Sequence, residues 1–93
     1  MEYVLSFKNT NLAIKTERYL LAENLGVTVM PLPPQIQAGC GICLRVKPEE
    51  ISMAERIIHE NKVEGTRLHT RDKTDNAYVY HEITKRGVLW NRD

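Results

Sequence analysis

The order in which strand-like and helical segments follow one another constrains this chain most. Apolar residues at helical spacing predict a first helix over about residues 11–25, ending at Gly26, and a second from Pro48 to near Asn61. Strand-forming runs occupy residues 3–7, 27–30, 42–46, 65–71 and 77–83. This order predicts an α+β fold: a ferredoxin-like βαββαβ sandwich, two helices on an antiparallel sheet, with an extra C-terminal strand or hairpin.

The length and composition fit one ordinary globular domain over residues 1–93, because 42% of the 93 residues are hydrophobic and 27% are charged. Such a chain builds one modest core and cannot enclose a large cofactor cavity, so we expect no cofactor. The formal net charge of +1 gives no general attraction to nucleic acid or acidic membranes. No apolar run approaches the roughly 20 residues of a membrane span, and no secretory leader follows Met1. We therefore expect a cytoplasmic protein with reduced thiols and no membrane or nucleic-acid partner.

Cys40, in a Gly39-Cys40-Gly41 turn, is the best candidate for chemistry. Gly39 and Gly41 permit a tight turn and close backbone approach, so a cysteine at such a tip would be reachable by a partner. In the predicted topology, the loop between the second and third strands lies at the same end of the sheet as the start of the first helix. The alternative is that Cys40 is an inert residue beside a structural turn.

The start of the first helix supplies further candidate binding residues. Lys8 and the first helical amides would favour the thiolate of Cys40, which is its nucleophilic form, and the same donors would hold an anion. Thr10 or Asn11 would point a side chain into this site. We therefore predict that Lys8, Thr10 and Asn11 lie around Cys40.

Cys43 completes a C-x-x-C motif with Cys40. A thioredoxin-like redox pair usually opens a helix, whereas this motif leads into a strand. A zinc site needs about four ligands, and His59, His69 and His81 are not spaced as a second pair, so only a bridging dimer would complete one. We predict no metal site within the chain. Cys43 is then either a buried residue of the third strand or a resolving thiol.

Glu17 is the unusual residue of the first helix. It lies one turn from Ala13 and Leu21, on the predicted apolar stripe. Buried there, its carboxylate would need a partner such as a backbone group or Arg45, and near the cysteine it would shift proton affinity. At the edge of the stripe it would simply reach water.

The C-terminal part of the chain carries basic and aromatic residues. They are Arg67, Arg71, Lys73, Lys85, Arg86 and Arg92, with Tyr78 and Tyr80. Such residues on a sheet can bind RNA, but the chain lacks the strand motif of RNA-binding domains and its acids nearly balance its bases. A solvated hairpin is the interpretation that we favour.

Several of these segments together resemble a known family. They are Phe7, Thr10, Ala13, Glu17 and Leu20, then Pro31-Leu32-Pro33-Pro34, Gly39-Cys40-Gly41 and Leu44-Arg45-Val46. The resemblance is to the selenium/sulfur carrier protein-like family, over roughly residues 3–63. The C-terminal hairpin and tail, residues 64–93, lie outside it. Its most specific part is the proline-rich stretch that leads into Cys-Gly.

The resemblance implies a small ferredoxin-like protein that handles sulfur or selenium on Cys40, as a persulfide or a selenium adduct. Thr10 and Glu17 match the family's helix pattern without an assigned role. Family members often carry a basic residue after the prolines, where this chain has Pro34-Gln35. Cys43 also lies outside the pattern, and it would convert a carrier into a dithiol that releases its cargo by internal attack.

Two functions from different classes follow from these observations. The first is a carrier or accessory protein, rather than a free-standing enzyme, which donor proteins load with sulfur or selenium at Cys40 and acceptor proteins unload. The second is a non-catalytic interaction or regulatory module, in which exposed edge strands pair with a partner or a second copy of the chain. The sequence does not separate sulfur from selenium, because the same thiolate would carry either.

Overall fold

The computed structural model describes residues 1–83, which form seven regular elements joined by short connections. They are β1 (Glu2–Ser6), α1 (Thr10–Ala22), β2 (Thr28–Pro31), β3 (Ile42–Val46), α2 (Ile51–Glu60), β4 (Arg67–Thr74) and β5 (Ala77–Ile83). A short 3-10 turn, Pro48–Glu50, leads into α2. The predictions for Lys85, Arg86 and Arg92 lie outside the described residues.

The five strands form one sheet in the order β2-β3-β1-β4-β5. Every neighbouring pair is antiparallel, with β1 at the centre between β3 and β4. Both helices contribute to the cluster of buried side chains on one face of this sheet. The prediction of an α+β fold with two helices on an antiparallel sheet is confirmed, and the extra C-terminal strand is β5.

The first helix begins as expected and ends earlier than predicted. The side chain of Asn9 caps it by accepting a hydrogen bond from the backbone N–H of Leu12 at 2.9 Å. At its other end Asn24 takes a left-handed conformation with φ 66°, and Leu25 N–H donates to the carbonyl of Leu20. The predicted stop at Gly26 was wrong, because an asparagine fills the left-handed position after the helix.

The buried face of α1 also differs from the predicted stripe. Ala13 and Leu20 are buried as expected, whereas Ile14 and Leu21 are 40% and 47% exposed. Thr16 is fully buried instead. The buried face is therefore centred between Ala13, Thr16 and Leu20, and two large apolar side chains are left on its exposed flank.

The C-terminal hairpin is longer and its turn tighter than predicted. The polar segment from Asp72 to Thr74 continues β4 and pairs with β5, so that Thr74 lies opposite Ala77. Asp75, at φ 32°, and Asn76 make the turn. The predicted strands, residues 65–71 and 77–83, leave residues 72–76 between them as a turn, and pairing with β5 draws three of these residues into β4.

The two faces of the sheet are built differently. The helix-covered face carries the main core, which includes Leu5, Phe7, Leu44, Val46 and Leu68 together with buried residues of both helices. The opposite face carries a small second cluster of Val4, Ile36 and Cys43, against which Met30, Leu32 and Tyr80 pack. The segment between β2 and β3 therefore reaches over the face that the helices leave uncovered.

Candidate functional site

The segment between β2 and β3, residues 32–41, carries Cys40 and is called the cysteine loop below. Its two ends are joined, because Leu32 N–H donates a hydrogen bond of 3.0 Å to the carbonyl of Gly41. Within it, Ile36 N–H donates to the carbonyl of Pro33, and the Ile36 side chain is buried. Cys40 thus lies at the foot of the loop, next to the hydrogen bond that closes it. The expectation of an accessible cysteine at a loop tip was wrong.

The cysteine loop packs against the connection between β1 and α1. A Cβ atom added to Gly39 would overlap the backbone carbonyl of Lys8, so only glycine allows this close approach. Lys8 lies two residues before the first residue of α1. The topological expectation that this loop and the start of the first helix are neighbours is therefore confirmed. At Gly41 an added Cβ would meet nothing within 4 Å, so the two glycines differ in role.

The thiol of Cys40 is buried at the foot of this loop. The residue is 5% exposed and belongs to the helix-side core cluster. Its Sγ donates a hydrogen bond of 2.9 Å to the carbonyl of Ile42, two residues along the chain. This burial restricts the access of reagents and partners to the sulfur in the observed conformation.

The thiol of Cys43 has a different environment. Its residue is fully buried in the second cluster, on the other face of the sheet, and its Sγ lies 3.7 Å from the carbonyl of Pro31. The pKa of Cys43 is raised to about 11, mainly by burial and then by the nearby Cys40 thiol, while Arg71 acts in the opposite direction. Cys43 is therefore almost entirely protonated at neutral pH. Its role as a resolving thiol stays a prediction.

The other predicted binding residues are dispersed around the start of α1. The aliphatic stem of Lys8 lies against Gly65, which has φ 81°. Thr10 and Asn11 are exposed in the first turn of α1. Glu17 is half-buried about two turns further along the helix, at the edge of the stripe. The hydrogen-bond partner of Cys40 Sγ is the Ile42 carbonyl and none of these side chains. Their binding role therefore stays a prediction.

Arg45, the partner considered for Glu17, contacts other residues. Its Nε lies 3.6 Å from Oε2 of Glu2, and its Nη2 lies 3.5 Å from the hydroxyl of Thr28. These groups lie on the face of the sheet opposite the helices. Glu17 and Arg45 thus occupy opposite sides of β3.

Two residues that sequence reasoning did not assign to the site hold the cysteine loop. Arg67 Nη1 donates a hydrogen bond of 2.6 Å to the carbonyl of Gln37, three residues before Cys40. The same guanidinium donates to both carboxylate oxygens of Glu82, at 3.0 Å and 2.8 Å. These hydrogen bonds raise the pKa of Arg67 and lower that of Glu82. Residues separated by 30 positions along the chain make this contact, and neither periodicity nor motif spacing reports it.

Buried polar groups lie near Arg67 and Glu82, on the face of the sheet opposite the helices. Ser6 Oγ and His69 Nδ1 are buried without a hydrogen-bond partner among the described residues. Burial lowers the pKa of His69 below its usual 6.5; Glu82 raises it and Arg67 lowers it by smaller amounts. His69 is therefore held in its neutral form.

The basic residues of the hairpin are paired with acids or stacked on tyrosine. Arg71 Nε lies 3.3 Å from Oε1 of Glu2, and its guanidinium carbon lies 3.8 Å from the ring centroid of Tyr78. Lys73 Nζ lies 5.8 Å from the same centroid.

The described part of the chain, residues 1–83, contains no group of three or more His, Cys, Asp or Glu residues placed to hold a metal ion. None of its helices is long and apolar enough to cross a membrane.

Comparison with known proteins gives one match. The family described as "Putative Se/S carrier protein-like" matches residues 2–70. The matched residues include every element from β1 to α2, the whole cysteine loop and the first half of β4. No curated protein and no solved structure gives a significant match. Because the match spans well over half of the 93 residues, this chain belongs to the Se/S carrier protein-like family.

Proposed function

We propose that this protein carries sulfur or selenium on the thiol of Cys40, accepting it from a donor protein and delivering it to an acceptor thiol. The observation that supports this most directly is the position of Cys40. It lies within the family match, at the foot of a closed loop that packs against the start of α1. We also take the strand order β2-β3-β1-β4 as a ferredoxin-like arrangement to which β5 is added at one edge.

The transfer requires no net oxidation or reduction. The Cys40 thiolate attacks the outer sulfur of a donor persulfide, forming a new S–S bond while the donor's S–S bond breaks and the donor leaves as a thiolate. An acceptor thiolate then attacks the same outer sulfur, and Cys40 leaves as a thiolate. Selenium at the outer position would follow the same two displacements. Each step needs the Cys40 sulfur to be reached in line, so loading and unloading both require the cysteine loop to move.

The burial of Cys40 fits a carrier better than an exposed thiol would. A persulfide held at the foot of the loop is shielded from free thiols in solution, which would otherwise remove the outer sulfur. The second thiol, Cys43, lies in the other cluster with a pKa of about 11, so it contributes little thiolate at neutral pH. We therefore assign the bound sulfur or selenium to Cys40 alone. Cys43 stays a candidate resolving thiol, which would release the cargo by attacking it.

Sulfur labelling of cysteine variants tests the proposal. We would incubate the wild type, Cys40→Ser and Cys43→Ala with glutathione persulfide, and with a cysteine desulfurase plus radiolabelled cysteine, and count protein-bound label that a thiol releases. The wild type and Cys43→Ala should both be labelled, and Cys40→Ser should carry almost none.

Equal labelling of Cys40→Ser and the wild type would refute the carrier function. The interaction module would then be the remaining candidate. The exposed Ile14 and Leu21, which lie seven residues apart on one flank of α1, are the observation that favours it.

A further inference from the structure

One guanidinium group of the sheet donates a hydrogen bond to the cysteine loop. Arg67, the first residue of β4, donates a hydrogen bond from Nη1 to the carbonyl of Gln37 at 2.6 Å. Glu82, on β5, accepts from Nε and Nη2 of the same group at 3.0 Å and 2.8 Å. A guanidinium is planar and its donors point in fixed directions, so Glu82 sets the orientation in which Nη1 meets Gln37.

We infer that Arg67 and Glu82 are positioning residues that hold the cysteine loop in its closed conformation, so that β5 controls access to the Cys40 thiol. The inference deepens the proposed function and rests on it for the meaning given to access. The physical claim itself, that breaking the Arg67–Glu82 pair opens the loop at Cys40, concerns the free protein.

The other hydrogen bonds of the loop join its own residues or residues next to it, and its apolar contact with the sheet is made by Ile36, which packs in one cluster with Val4 and Cys43. Sγ of Cys40 bonds to Ile42, and Leu32 bonds to Gly41. Gly39 packs on Lys8 without a hydrogen bond between the two. On the N-terminal side, the hydrogen bond from Ile36 to Pro33 is internal to the loop. Within residues 1–83, Arg67 therefore supplies the hydrogen bond that ties this side of the loop to the sheet.

The strength of the contact suits a gate that opens and closes. The side chains of Arg67 and Glu82 are 42% and 36% exposed, and an ion pair exposed to that degree contributes little free energy. The bidentate geometry and the shared carbonyl add direction rather than a large stabilisation. The loop can thus be released without unfolding of the main core.

The two residues of the pair differ in their relation to the family. Arg67 lies within the matched residues 2–70, whereas Glu82 lies on β5, beyond them. The carboxylate that orients the guanidinium comes from the strand that the family match does not include. Control of the loop through β5 is therefore a property of this chain rather than of the matched region.

Alkylation of Cys40 in the native protein tests the inference. In a Cys43→Ala background, we would measure the rate at which iodoacetamide modifies Cys40, by mass spectrometry, for Glu82→Gln, Arg67→Gln and the double variant. Each single variant should raise the rate about five- to tenfold, the range expected for loss of a charge-assisted hydrogen bond in a partly exposed site. The double variant should not exceed the larger single effect by much, because both residues act through one contact. Arg67→Lys, which keeps the charge and loses the fork, should give an intermediate rate.

A matched control separates loop opening from a general surface effect. Glu2→Gln removes a carboxylate of similar exposure, paired with Arg45 and Arg71 on the same face but without a contact to Gln37. It should leave the Cys40 rate within about twofold, the limit set by the small free energy of an exposed pair. An equal increase in Glu2→Gln would overturn the inference.

Hydrogen exchange provides the second readout. The backbone amides of Leu5 and Leu44, in the central strands, should exchange at the wild-type rate in Glu82→Gln and Arg67→Gln. An unchanged Cys40 rate, or a rise only in proportion to exchange in these strands, would show that the pair does not hold the loop. Alkylation needs no sulfur donor, so this result is independent of the labelling result for Cys40→Ser. Either hypothesis can fail while the other stands.

Discussion

The two faces of the sheet give two cysteines, three residues apart, opposite environments. On the helix-covered face, Cys40 belongs to the large apolar core and lies in a loop at its edge. On the other face, Cys43 lies within a strand, in a small cluster beneath Ile36 and beside charged pairs. The loop ends and the strand begins at Ile42, between the two cysteines, and their thiols lie in clusters on opposite faces of the sheet. Sequence spacing alone, a C-x-x-C motif, would treat the two thiols as one unit.

The largest expected difference between the faces is in packing energy. Leu44→Ala on the helix-covered face should lower the free energy of unfolding by about 3–5 kcal/mol, because Leu44 is fully buried in the main cluster and its removal leaves a cavity there. Ile36→Ala, in the cysteine loop on the other face, should cost about 2 kcal/mol, since the smaller cluster can relax. Urea denaturation of both variants measures the comparison. Equal losses would mean that the second cluster is packed as rigidly as the main core.

The next effect concerns the foot of the cysteine loop. Gly39→Ala should cost about 1–3 kcal/mol and speed alkylation of Cys40, because the new methyl group overlaps the backbone of Lys8 and the loop must move away. Gly41→Ala is the matched control, since a Cβ there meets nothing within 4 Å, and it should change stability by less than about 0.5 kcal/mol. Thermal melts and the alkylation rate report both quantities. If the two variants behave alike, the packing of Gly39 on Lys8 does not hold the loop.

The smallest effect is the pH dependence that His69 gives to the uncovered face. Burial keeps its pKa below 6.5 in the folded protein, so below that pH the unfolded chain binds a proton that the folded one does not. Stability should be full above pH 6.5 and should fall as the pH drops from there toward the folded pKa. Urea midpoints at several values between pH 7.5 and roughly 5 measure this slope, across the usual titration range of histidine. Glu82 and Arg67, which face His69, keep their charges in this window.

Two variants isolate the contribution of His69. His69→Leu should flatten the slope, since the buried ring has no hydrogen-bond partner at Nδ1 among the described residues and the leucine does not titrate. His59→Gln, at an exposed position of α2, should keep it. An unchanged slope in His69→Leu would assign the pH dependence to another group.

The order and kind of the elements were predictable because local patterns determine them. Alternating apolar residues identified β3 with its observed bounds, and Pro48 with its two glutamates marked the start of the second helical segment. The errors arise where tertiary contacts decide. The end of α1 depends on Asn24, rather than the nearby Gly26, adopting the left-handed conformation, and β4 continues through polar residues because β5 pairs with them.

The candidate site was predictable in part for the same reason. The proximity of the cysteine loop to the start of α1 follows from the order of the elements, and Gly39 marks the close approach. The burial of Cys40 does not follow, because it depends on where the loop folds back over the sheet. The contact from Arg67 to Gln37 joins two distant segments through a backbone carbonyl, which carries no sequence signal at all.

The hydrogen bond between Leu32 and Gly41 holds the two ends of the cysteine loop together beside Cys40. Because Cys40 adjoins this hydrogen bond, a movement of the segment that carries Ile36 and Gln37 would displace that segment further than it displaces the sulfur. A partner protein that binds this distant segment would therefore change access to the sulfur while the sulfur itself stays close to the sheet. The partner would then have to bring its own sulfur to the foot of the cysteine loop, where Cys40 lies.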